Sequence, residues 1–193
     1  MKVSKAQAAK NREGIVDAAA RLYREKGLDG VGLAEITREA GLTHGGLYRH
    51  FESRDALARE ACTRAFAWTI TPQEGSESSE ADGASAGGLR ALVYGYLSTF
   101  HRDHPGEGCP VAALAADVAR AGPEMSEVFA QGVERNFQRF MSELQGDDPA
   151  TRTQAIVTLS SMVGALTLAR ATAAGNPALS EEILATVRGQ LAG

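Results

Sequence analysis

Apolar side chains return along this chain at intervals of three and four, the period that gathers one face of an α-helix. From Lys5 to Lys26 the positions Ile15, Ala19, Leu22 and Tyr23 keep that spacing, with Lys10, Arg12, Arg21 and Arg24 between them. This is the first predicted helix, and Gly27 ends it: a glycine just past a helix can take a left-handed conformation, leaving Leu28 to pack back on Tyr23 in a Schellman arrangement. A second, shorter helix is predicted from about Leu33 to Ala40, with Leu33, Ile36 and Ala40 on one face and Gly41 as its stop. Thr43 is a suitable N-cap for a third, from His44 to about His50, in which Leu47 and Phe51 recur four apart. Ser53 caps a fourth, expected to reach about Ile70 with Ala58, Ala61, Cys62, Ala65, Phe66 and Trp68 on its more apolar sides.

The pattern then lapses. Residues 71–88 are rich in Ser, Gly and acidic groups and hold too little apolar surface to offset the entropy of ordering, so a flexible loop is expected. Helical spacing resumes over 89–104, where Leu92, Tyr96 and Phe100 lie four apart, and again over about 110–121, 123–144 and 149–174. The last of these is apolar nearly all round (Ala155, Ile156, Leu159, Met162, Val163, Leu166, Ala169), which predicts burial on most sides. Ser180, followed by Glu181 and Glu182, reads as the capped start of a final helix through Ile183, Leu184, Val187 and Leu191. The fold class is therefore all-α, without internal repeats.

Composition narrows the function more than the fold. A chain of 193 residues with 44% hydrophobic and 23% charged side chains can bury a core unaided by disulfides or metals. Cys62 and Cys109 stand far apart and match no zinc or C-x-x-C pattern, which predicts a reduced protein. The start of the chain has no basic-then-apolar leader, and no run approaches the roughly 18 consecutive apolar residues of a membrane span. A cytoplasmic protein without a membrane partner is expected. Charge is the informative quantity. The first 54 residues hold ten Lys or Arg against seven Asp or Glu, whereas the remaining 139 hold ten against seventeen, so a chain of net charge −4 begins with a basic segment suited to a polyanion.

That basic segment contains GLTHGGLYRHF, Gly41 to Phe51, in which two glycines open a short predicted helix despite a cost of about 1 kcal/mol each. Two short helices joined by a tight, glycine-containing turn and braced by a longer one make a helix-turn-helix, whose second helix enters the DNA major groove. Gly45 and Gly46 then let the backbone approach DNA closely. Tyr48, Arg49 and His50 present hydroxyl, guanidinium and imidazole groups to it, base reading falls to Thr43, His44 and Arg49, and Arg54 with the amides opening the fourth helix forms a second anion site. Taken singly, a Gly-Gly pair is also a plain loop, and a tyrosine is also a half-buried core residue.

The longer run GLDGVGLAEITREAGLTHGGLYRHFESRDAL resembles the N-terminal signature of the TetR/AcrR family of bacterial one-component transcription regulators. The family pattern is a Gly, then T-x-x-x-I-A-x-x-A-G-V-S-x-G-x-x-Y-x-H/Y-F-x-x-K-x-x-L. Gly27, Ile36, Ala40, Gly41, Leu42, Thr43, Gly45, Leu47, Tyr48, His50, Phe51, Arg54 and Leu57 fill its places here, and the likeness covers roughly residues 10 to 60. A weaker likeness to one of the family's C-terminal types lies in GCPVAALAADVA and SSMVGALTLARAT. Three positions depart from the pattern: Gly32 replaces a Ser or Thr that caps the second helix and touches phosphate, Thr37 replaces a small Ala, and Gly46 replaces a residue that often faces DNA.

The resemblance implies a DNA-binding domain over 1–54 and a helical ligand-binding and dimerisation domain over 55–193. It implies a homodimeric regulator, a repressor on a near-palindromic double-stranded operator that a small-molecule effector releases, with Thr43, His44, Gly45, Tyr48, His50 and Arg54 at the DNA interface. Trp68, Tyr96, Phe100, Phe129, Phe137 and Met162 are candidates to line the effector pocket, or equally to fill a core. Arg170, in an apolar helix, requires a partner: Asp117, Glu134, a carboxylate of a second copy, or an acidic ligand.

Other chemistries find less support. His101, Asp103, His104 and Cys109 fit no metal-ligand spacing, so neither a metal nor a cofactor is expected. Ser160, Ser161, Cys109 and the four histidines form no nucleophile-and-base pattern, and no enzyme is expected. Two alternatives stand beside the regulator released by a ligand: a helical adaptor that has lost its DNA surface, and a redox- or electrophile-sensing regulator using Cys109, which begins a predicted helix where the dipole lowers a thiol's pKa.

Overall fold

The structure, a computed structural model, describes residues 4–42, 44–67 and 88–193, and for residues 44–46 the backbone alone. Thr43, Trp68 and the polar stretch 71–87 lie outside the described residues. Every regular element among those described is helical. Compactness groups the chain into two units, residues up to 68 with 105–132, and residues 69–104 with 133–193. This is not the division between residues 54 and 55 drawn on the sequence, because the helix that starts at Arg54 packs along the first helix.

In the first unit, α1 (Lys5–Lys26) is capped by Ser4, whose hydroxyl accepts from the Gln7 amide, and buries Ile15, Val16, Ala19, Leu22 and Tyr23. α2 (Leu33–Glu39), a 3-10 helix (His44–Arg49) and α3 (Arg54–Ala65) follow. Ile36, Leu47, Phe51, Leu57, Ala61 and Cys62 close on that α1 face, and α6 (Pro110–Val118) adds Leu114 and Val118 to the same core. α3 ends at Ala65, short of the predicted Ile70. Phe66, its cap residue, sets its ring edge-on to Phe129 at 5.3 Å. A Cβ on Gly132 would stand 2.4 Å from the Phe66 ring, so only glycine admits that ring against α7 (Pro123–Glu143).

In the second unit the helix predicted over 89–104 is two: α4 (Leu89–Tyr96) and α5 (Thr99–Asp103). The Ser98 hydroxyl accepts from the His101 amide and so caps a new helix, ending the first one early. α8 (Pro149–Thr172) and α9 (Pro177–Ala192) pack along one another. α8 is long and apolar enough by length and composition to cross a membrane, with a mean hydropathy of 1.4, because Ala and Val offset its Ser and Thr without an unbroken apolar run; here one side of it is buried by helices. α9 begins three residues before the predicted start. Asn176 is its N-cap and Pro177 takes the first position, whereas Ser180 is buried inside the helix and donates to the Ala169 carbonyl of α8 at 2.7 Å.

Of the carboxylates anticipated for Arg170, Asp117 pairs with Arg120 and Glu134 with Arg152. The Arg170 guanidinium donates to the His101 carbonyl at 2.6 Å and the Arg102 carbonyl at 3.1 Å. These are carbonyls in the last turn of α5, groups that a helix end leaves without intrahelical donors, so a cation there satisfies both hydrogen bonding and dipole.

Candidate nucleic-acid interface

The candidate recognition segment is built from its inward side. Leu47 and Phe51, only 1% and 4% exposed, seat the 3-10 helix on the α1–α3 core, and the Leu47 carbonyl accepts from the His50 and Phe51 amides. Arg12 of α1 lies over the Phe51 ring, 4.7 Å from its centroid, and pairs with Glu60. With the inward positions filled, Tyr48 is left 60% exposed, Arg49 exposed and His50 half-buried. The element is a 3-10 rather than an α-helix; two adjacent glycines in six residues leave little helix propensity to hold the wider coil.

The turn before it is tightly specified. Gly41 has φ +69°, its amide donates to Arg38, and the Leu42 amide reaches the Thr37 carbonyl at 2.8 Å. That pair of bonds is a Schellman motif. It occurs here and not at Gly27, where the sequence predicted it: Gly27 has φ 78° and ψ 167°, outside the left-handed helical region, and the Leu28 amide donates to the carboxylate of Asp117 instead. Thr37 is buried, and its hydroxyl donates to the Leu33 and Ala34 carbonyls, so the departure from Ala is absorbed without an unsatisfied group. Gly32 occupies the N-cap of α2 with no side-chain cap and open space around it.

Arg54 keeps 43% of its side chain exposed while it also bonds within the chain. Its guanidinium donates to the Leu28 carbonyl at 2.6 Å and the Val31 carbonyl at 3.4 Å, and lies 3.8 Å from Asp29. The Ser53 hydroxyl meanwhile accepts from the Ala56 amide at the start of α3. The Arg54 guanidinium and the Ala56 amide thus each have a partner within the chain. Sequence reading passed over Arg38, which stands exposed in the last turn of α2 beside the turn to the recognition segment. Its signal was present: in the α2 period Arg38 falls opposite the buried pair Ile36 and Thr37.

The family model for bacterial regulatory proteins of the tetR family matches residues 15–61, the span from mid-α1 to the last turns of α3. Over that span the chain carries the N-terminal domain of the TetR family. It is 32% identical to the transcriptional regulator LmrA of Bacillus subtilis over 61% of this chain and 62% of that one, and 43% identical to the transcriptional repressor BepR of Brucella suis over 28% and 26%. The chain thus spans about three-fifths of one of these curated relatives and about a quarter of the other. A TetR-family regulator from Cytophaga hutchinsonii shares the fold, with a TM-score of 0.68 at 20% identity over 100% of this chain and 98% of that one.

Beyond the matched span, the effector-pocket candidates fall in different places. Tyr96 and Met162 are buried in the second unit, Phe100 stacks on His104 at 4.0 Å, and Phe137 sits beneath the Arg152 guanidinium at 5.7 Å. Phe129 packs against the core of the first unit, and Trp68 lies outside the described residues. The first unit contains a cleft of about 470 Å³, lined among others by Arg54, Asp55, Arg59, Asp117, Arg120 and Glu124. Among the described residues no group of three or more His, Cys, Asp and Glu converges as a metal site. Cys109 is the N-cap residue of α6 and is 1% exposed.

Proposed function

We propose that the chain is a homodimeric repressor that binds a near-palindromic double-stranded operator through Thr43, His44, Gly45, Gly46, Tyr48, Arg49, His50 and Arg38, and is released by a small-molecule effector. The observation that carries this reading is the recognition segment itself: two buried anchors, Leu47 and Phe51, turn Tyr48 and Arg49 outward within the basic N-terminal segment. A tyrosine hydroxyl and a guanidinium there suit phosphate and base edges. Arg54 acts one step back, holding the link before α2. BepR of Brucella suis is a repressor, which supports the sign of regulation.

A second copy is supported by α8 and α9, which leave Ile156, Val157, Leu168 and Leu179 exposed. Val157 and Leu168 are eleven residues apart, three helical turns, and so share one stripe of α8. An apolar stripe of this kind suits a partner helix pair. The alternative sensor at Cys109 is disfavoured by its burial, since a reactive thiolate requires access.

Fluorescence anisotropy with duplexes recovered by the protein from a random-sequence pool, at two salt concentrations, tests the reading. A dimeric reader binds with nanomolar to submicromolar affinity and a steep salt slope. Recovery of no sequence, or affinity without salt dependence, eliminates it in favour of a helical adaptor.

A further inference from the structure

Residues 27–32 carry the chain from α1 into α2 and set the direction in which the helix-turn-helix leaves its brace. This link is held from two sides. Arg54 takes the Leu28 and Val31 carbonyls, and Asp117, in the last turn of α6, accepts from the Leu28 amide at 2.9 Å. The other Asp117 oxygen accepts from Arg120 at 2.8 Å, which fixes the carboxylate in place. The approach is close: a Cβ on Gly27 would stand 2.6 Å from Asp117 Oδ2, and one on Gly30 would stand 2.0 Å from the Lys26 carbonyl.

The local partner of this aspartate is Arg120, whose side chain is 72% exposed, so that pair contributes little. A negative charge at a helix C-terminus opposes the macrodipole. The Asp117 side chain is 27% exposed on the wall of an open cleft, so it does not fill the core either. The benefit lies in the link it touches. We propose that Asp117 is a positioning residue for DNA reading: it holds the α1–α2 link, and through it the angle at which α2 and the recognition segment meet DNA, although it touches no DNA itself. This rests on the DNA-binding function proposed above.

The test uses the full chain and a duplex that the wild-type protein recovers from a random-sequence pool. Asp117→Ala is expected to weaken binding about tenfold, the effect of losing one charged hydrogen bond, while the slope of log affinity against log salt stays unchanged because no phosphate contact is lost. Asp117→Asn, which keeps an acceptor, should remain within about threefold of wild type. Glu124→Gln breaks the Arg59 pair in the same cleft without touching the link, and should leave affinity within about twofold. Amide exchange read in parallel should accelerate at Leu28 in Asp117→Ala, with α3 protection intact.

Wild-type affinity in Asp117→Ala, an equal loss in Glu124→Gln, or unchanged exchange at Leu28 each overturns the inference while the DNA-binding reading stands. Failure of the wild-type protein to retain any duplex overturns that reading, and this inference with it.

Discussion

At the scale of single residues, the backbone conformation decides what each glycine contributes. Gly41, at φ +69°, sits where an L side chain clashes with its own backbone, so Gly41→Ala should lower stability by roughly 1–2 kcal/mol in thermal or urea unfolding. Gly32 is the opposite case, with an ordinary φ of −86°, an N-cap position and open space. Gly32→Ser should therefore stabilise the chain by about 0.5–1 kcal/mol, by capping α2 and by restricting the unfolded chain, and raise Tm by about 1–4 °C. A lower Tm would show that α2 needs the glycine for another reason. Glu134 carries the clearest pH dependence. Hydrogen bonds from Arg152, then from Gln138, hold its carboxyl down to about 2 from the ordinary 4.5. A depressed carboxylate pKa contributes stability that is fully present above 4.5 and lost as pH falls through about 2. In acid titrations followed by circular dichroism, Glu134→Gln should flatten the wild-type loss of stability in that window, and identical curves would remove the pair from the account.

At the scale of elements, helix ends are stitched by side chains from other helices. Ser180 is buried at the α8–α9 contact, where its hydroxyl donates to Ala169 and accepts from Arg102 at 3.2 Å. Ser180→Ala should cost about 1–2 kcal/mol, and Ser180→Leu more, since added volume has nowhere to go. Equal stabilities in denaturant titration would mean that α9 is held by Leu184 and its apolar neighbours alone. The recognition element divides in a similar way between anchors and readers. Tyr48→Phe removes one hydroxyl from an exposed side chain and should weaken all duplexes about equally. Arg54→Ala should lower Tm as well as affinity, because it releases the two carbonyls of the α1–α2 link. A variant with altered sequence preference and unchanged Tm would return Arg54 to the DNA surface.

At the scale of the whole molecule, the proposed function calls for a second copy and an effector. Sedimentation should give a dimer at micromolar concentration, alone and on DNA, and Leu168→Asp on the exposed α8 stripe should shift it to monomer. A persistent dimer in that variant would place the contact elsewhere. An effector found by thermal-shift screening should bind more weakly when operator is saturating, by the same factor, about 5 to 150, by which it weakens operator binding.

The all-helical class, most helix starts and the recognition segment were legible in the sequence, because they follow from local periodicity, from caps such as Ser4 and Ser53, and from a motif read residue by residue. What escaped were matters between segments distant in sequence. Nothing near Gly27 tells that its neighbour's amide will meet Asp117, nothing near Arg170 tells that it will close the end of α5, and nothing near Arg54 tells that its guanidinium will reach the Leu28 and Val31 carbonyls. The early ends of α3 and α4 have the same character. A helix stops where tertiary contacts or a competing cap outweigh weak propensities of a few tenths of a kcal/mol per residue, as Phe66 against Gly132 and Ser98 under His101 illustrate. Local periodicity therefore determined which segments are helices and which face of each is apolar. Only the tertiary structure decided which polar side chains are spent on holding those helices and which remain for DNA, since a donor's partner is chosen by spatial neighbours that sequence separation conceals.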